Sequence, residues 1–214
     1  MKTVLLSLLS IFFVTVVSAT DDKYVEAMQK NIAAVYAAQD IAQLQTAVNT
    51  FERIGAAEKS KWEPYYYAAF GCIMMSAKEK EALKKDGYLD RADEYLKKAE
   101  EIITNESEII ALEGFAQMLR ISVDPAVRGQ QYSMLATQSF DKALVLNPEN
   151  PRALTLMSQM QYGTAMFFKS PTTEACATAA KALEKFTSYK SSNPLAPQWG
   201  KEMTQSMVDQ CSKK

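Results

Sequence analysis

The sequence predicts an all-α protein built from antiparallel helix hairpins, and three observations carry that prediction. The 214 residues include only 7 Gly and 7 Pro, about 7% of the chain against a usual ~12%, which disfavours a turn-rich sandwich or barrel. Apolar residues recur at helical spacing: in YLDRADEYLKKAEEII, Tyr88, Leu89, Ala92, Tyr95, Leu96, Ala99, Ile102 and Ile103 share one face and charged residues fill the other. The pattern also repeats, because Ala136, Phe140, Ala143 and Pro148 recur 44 residues earlier as Ala92, Leu96, Ala99 and Thr104. Less complete copies are Ala47, Phe51, Ile54 and Ala179, Leu183, Phe186. Each copy follows another helical pattern with a small residue in its middle, Gly71, Gly114 and Ser158, spaced 43 and 44 apart. Two markers holding one period are the signature of stacked units that bury a shared core.

The elements follow in order. Met1 and Lys2 precede an apolar run from Val4 to Val17, then Val17-Ser18-Ala19 and the charged pair Asp21-Asp22, which reads as a signal peptide at 1–19 cut after Ala19. The run falls short of the ~20 residues that cross a bilayer, so the expected product is a single domain, 20–214, exported to a periplasm or beyond, with no membrane insertion after cleavage. Its hairpins are expected at about 22–58, 62–104, 107–146 and 151–190, with a terminal helix at about 196–212 capping the stack. Lys85-Asp86-Gly87 reads as the turn of the second hairpin. Asp124-Pro125, Asn150-Pro151, Ser170-Pro171 and Asn193-Pro194 read as helix entries, since a proline in the first turn lacks only an N–H that has no partner there.

The spacings resemble the tetratricopeptide repeat, most closely in FDKALVLNPENPRAL, over about Ala47 to Tyr189. The usual unit has 34 residues; here 21 separate Gly71 from Ala92 and 22 separate Gly114 from Ala136, which implies longer helices and turns. The resemblance implies a right-handed superhelix whose ligand side is the inner surface of the first helix of each pair. The matching positions are Tyr65, Ala68, Cys72 and Met75, then Glu108, Ala111, Phe115 and Met118, then Arg152, Thr155, Gln159 and Tyr162. Two readings stand side by side: a groove for an extended or helical peptide, or core beneath helices that curl over it.

Composition narrows the chemistry. The 24 basic and 25 acidic residues nearly cancel, which gives no footprint for nucleic acid. There is no histidine, so Ser-His and Cys-His catalysis and His-ligated zinc or haem are excluded. Cys176 and Cys211 both lie on apolar helix faces, 17 residues before and 18 after a turn at Asn193, so a disulfide between them is expected in an oxidising compartment; two buried free thiols are the alternative. Cys72 beside Gly71 reads as a small core residue, and without Cys-x-x-Cys no metal site is expected. Asn105-Glu106-Ser107 superficially resembles the Glu-Ser of lytic transglycosylases, but Glu106 falls in a turn where its carboxylate would be ordinary. The triplet is also a glycosylation sequon. The expected function is a non-enzymatic adaptor or scaffold that binds a protein or peptide, with no cofactor. A self-associating structural subunit is the alternative, and a peptidoglycan-cleaving enzyme a remote one.

Overall fold

The computed structural model describes residues 15–213, with side chains from Asp21 onward; the apolar run read as a signal peptide, and its cut after Ala19, lie outside the described residues. Among the described residues there are nine helices and no strand: α1 Thr15–Ala37, α2 Ile41–Ala57, α3 Glu63–Lys78, α4 Ala82–Ile102, α5 Ser107–Ile121, α6 Pro125–Leu146, α7 Pro151–Phe167, α8 Thr173–Ser188 and α9 Lys201–Ser212. Successive helices pair as hairpins, α3 packs on α5 and α5 on α7, and α9 closes the stack against α7 and α8. This is an all-α helical repeat fold. α3 and α5 are buried on nearly every side, whereas α4, α6 and α8 bury one stripe each.

Local chemistry starts the helices. The carboxylate of Asp40 accepts the Gln43 N–H at the start of α2, that of Asp124 accepts Val127 N–H for α6, and the Asn150 amide oxygen accepts Arg152 and Ala153 N–H for α7. Pro125 and Pro151 occupy first helical positions, as expected. Pro171 instead precedes the Thr172 cap of α8, and Pro194 starts no helix at all. The turn expected at Lys85-Asp86-Gly87 is interior to α4, and the chain breaks at 79–81. There the Glu79 carboxylate accepts the Lys80 and Glu81 N–H groups, while burial of Leu89, Ala92 and Leu96 carries α4 through Gly87.

The small residues of the repeat do what their spacing suggests. A methyl at Gly71 would come within 2.5 Å of the Val48 side chain on α2, and one at Gly114 would overlap the Phe140 ring on α6. Gly114→Ala is therefore expected to lose about 1–3 kcal/mol by overpacking. Gly87→Ala, with nothing within 4 Å, should gain up to about 1 kcal/mol from helix propensity. Urea unfolding of both variants checks the opposite signs.

The expected bond is present: Cys176 on α8 and Cys211 on α9 form a disulfide with Cα atoms 5.7 Å apart. Cys72 is free and buried, and burial pushes its thiol up to about 12, so it is no nucleophile at neutral pH.

Candidate functional site on the inner face

The chain between α8 and α9, residues 189–200, packs across α1, α3 and α5, the first helices of successive hairpins, whose shared side is the inner face. The Tyr67 hydroxyl donates to the Leu195 carbonyl at 2.7 Å, and the Tyr36 hydroxyl accepts the Gln198 N–H at 3.1 Å. Trp199 Nε1 donates to the Tyr66 hydroxyl at 3.0 Å, and Asn193 Nδ2 to Glu63 at 3.2 Å. Leu195 and Trp199 are buried in the main core. Burial holds the phenols of Tyr66 and Tyr67 well above the ordinary tyrosine range, so both remain neutral hydrogen-bonding hydroxyls. Gly200 ends this strap at φ 106°, where a methyl would meet the Phe186 ring at 2.9 Å; both the left-handed backbone and the close approach require glycine.

Trp199 packs the strap into the core, since it, Phe70 and Phe115 are 9%, 5% and 5% exposed. Its ring stacks between Phe70 of α3 and Phe115 of α5, with centroids 5.5 and 5.8 Å away and planes within 27° and 25°. Met74 lies one helical turn beyond Phe70, Met118 one turn beyond Phe115, and Met203 follows Trp199 in the first turn of α9. All three methionines are half-buried against the same core. The result is a shelf whose floor is three buried rings and whose accessible part is three half-buried polarizable thioethers, apolar and adaptable in shape.

A buried ion pair supports it. Arg152 Nε and Nη2 donate to the two carboxylate oxygens of Glu108, each at 2.7 Å. The guanidinium also lies 6.0 Å from the Trp199 ring and 5.1 Å from that of Tyr189. α5, α7 and the strap are thereby joined at one point.

The positions implied by the repeat resemblance divide between this surface and the core. Phe115 stacks on Trp199, the Arg152 guanidinium lies 6.0 Å from its ring and holds Glu108, and Met118 follows Phe115 by one turn of α5. Tyr65 faces the other way, its ring over Gly55 of α2 and near Lys98 of α4. Ala68, Cys72 and Met75 are fully buried in the core, and Ala111 is buried with Ala143 and Ala153 between α5, α6 and α7. Thr155 is buried and shares a hydrogen bond with Thr204 of α9, Tyr162 packs on Ala175, Ala179 and Met207, and Gln159 is half-buried. Phe70, Met74, Trp199 and Met203 are not among the ligand-side positions that the repeat spacing implies. Two prolines three apart in NPLAPQWG disfavour helix there, and that is the signal that would have found the strap.

Two features outside the shelf are structural. Glu106 caps α5 by accepting the Glu108 N–H, while buried Ser107 donates to the Ala143 carbonyl and accepts from Asn150. A hollow of about 450 Å³ between α4, α5 and α6 is closed by Arg120, which reaches Asp86, Asp90 and Asp93 at 3.3, 2.8 and 2.6 Å. Glu113 lines that hollow, and burial raises its carboxyl above the usual range. A raised carboxylic acid costs stability above its folded pKa and ceases to do so as pH falls through it. Glu113→Gln is therefore expected to raise the melting temperature at pH 7, with the difference vanishing below the carboxyl range, as thermal scans across pH would show.

Comparison with known proteins places the chain. No family model matches it, and no curated protein does. Among solved structures it is similar to the HusA haemophore from Porphyromonas gingivalis, at 30% identity and a TM-score of 0.79, over 89% of this chain and 93% of that one. No helix among the described residues is long and apolar enough to cross a membrane.

Proposed function

The chain belongs to the family of the HusA haemophore, and from that premise we propose that it is an exported carrier of a porphyrin, held by the flat face of the macrocycle on the inner-face shelf. The observation that carries this reading is the set of half-buried methionines Met74, Met118 and Met203, backed by the buried Phe70–Trp199–Phe115 ring stack. A porphyrin is a large flat apolar body, and such a surface recognises it by area and dispersion. Area on the macrocycle supplies the handle, and the iron-ligating type present at the shelf is the thioether of Met74, Met118 and Met203. The chain has no histidine, two cysteines are bonded to each other and the third is buried, and the Tyr66 and Tyr67 hydroxyls are engaged. The Cys176–Cys211 bond supports export to an oxidising compartment.

The strap also bears on a peptide-binding adaptor, since its own main chain takes the tyrosine hydroxyls that an extended peptide would use. The tetratricopeptide-like reading of the hairpins is kept as part of the proposal, supported by the close approaches at Gly71 and Gly114.

Titration with iron-free protoporphyrin and with haemin tests the function. Both are expected to bind, and Met118→Glu, which sets a charge on the shelf, should weaken both at least tenfold. Failure of both porphyrins to bind, or an unchanged affinity in Met118→Glu, would count against it.

A further inference from the structure

We infer that the Cys176–Cys211 disulfide is a reduction-sensitive latch that holds the porphyrin shelf together. The inference rests on the porphyrin reading for the identity of the ligand, though the latch itself does not depend on it. The bond joins the first turn of α8 to the last turn of α9, and the strap with Trp199 lies inside the 35-residue loop it closes. Trp199 is the middle ring of the shelf and Met203 its third methionine. So two of the six shelf residues are carried by the looped segment, and the other four by α3 and α5.

With the bond intact, α9 and the strap can leave the inner face only as a loop fixed at both ends. Once it is cut, the C-terminal part of α9 is held to α8 by the packing of Met207 and Val208 on Ala175 and Ala179. Both cysteines are half-buried rather than sealed in the core, a position where a small dithiol is expected to reach the bond. The reductant is a dithiol. One of its thiolates attacks one cysteine sulfur and the other cysteine leaves as a thiolate that takes up a proton. Its second thiol then closes the reagent's own disulfide and frees the first cysteine, so two electrons pass to the protein. A carrier that must hold its cargo outside the cell and release it elsewhere gains a means of release from such a bond: entry into a thiol-rich compartment loosens the shelf.

Hydrogen exchange of the full chain, oxidised and after dithiothreitol, tests this. Reduction is expected to speed exchange of the Leu195, Gln198 and Thr204 amides on the order of 10²-fold, while α3 and α5 stay protected and the helical circular dichroism is retained. The affinity for iron-free protoporphyrin should fall at least tenfold and return on reoxidation, and Cys176→Ser without reductant should reproduce the reduced state. Iron-free porphyrin avoids any reaction of the reagent with iron. Unchanged exchange at the strap after verified reduction overturns the latch, and faster exchange with unchanged porphyrin affinity overturns its control of the shelf. If the oxidised protein binds no porphyrin, the proposed function fails and strap exchange alone decides the latch.

Discussion

Arg152→Ala is expected to lose about 3–5 kcal/mol of stability in urea unfolding, because it strands a buried carboxylate. The Arg152 and Glu108 side chains are 1% and 7% exposed, so Glu108 would retain neither its cation nor much water. Burial is the largest single influence on Arg152 and works against its charge. The hydrogen bonds to Glu108 and the attraction of that carboxylate, of Tyr66 and of Tyr189 together outweigh it and hold the pKa above the ordinary arginine value; it stays protonated at any pH the fold survives. The alanine also withdraws the aliphatic stem and guanidinium plane from Phe186, Tyr189 and Trp199. The double variant Glu108→Leu, Arg152→Met discriminates charge from packing. It removes both charges and keeps volume, so it should lose far less than Arg152→Ala. A loss below about 1 kcal/mol in the single variant would mean that the pair is solvated rather than buried.

Trp199→Ala should lose a similar ~3–5 kcal/mol and, unlike the arginine variant, should remove the floor of the ligand shelf. It empties the space between Phe70 and Phe115 and leaves the Tyr66 hydroxyl without its indole donor. Porphyrin affinity is expected to fall at least tenfold, since the shelf loses its central ring. Trp199→Phe keeps a ring in the stack and gives up only the Nε1 hydrogen bond, so it should recover most of the affinity while remaining about 1–3 kcal/mol less stable than the parent. Calorimetric titration beside urea unfolding separates the two effects. Affinity unchanged in Trp199→Ala would remove the strap from the ligand site.

What the sequence by itself determined is what depends on neighbours along the chain. The period through Gly71, Gly114 and Ser158, the caps at Asp124 and Asn150, and the stripe of α4 from Leu89 to Ile102 are local patterns that hold whatever the helix meets. The Cys176–Cys211 pairing was legible for a related reason: two apolar helix faces separated by one reversal must face each other. It survived even though the expected final helix at 196–212 begins only at Lys201. The register of the inner face was decided by tertiary structure. In α3, the stripe Ala68, Cys72, Met75 and the stripe Tyr67, Phe70, Met74 have centres about 130° apart, and the helix is apolar nearly all round. Periodicity therefore cannot say which stripe meets α2 and α4 and which meets the ligand side. That choice fell to long-range contacts. The Leu195 carbonyl found its donor in Tyr67, 128 residues away, and Trp199 found its partner hydroxyl in Tyr66, 133 residues away, because an extended segment without helical bonds must satisfy its polar groups where it buries its apolar ones.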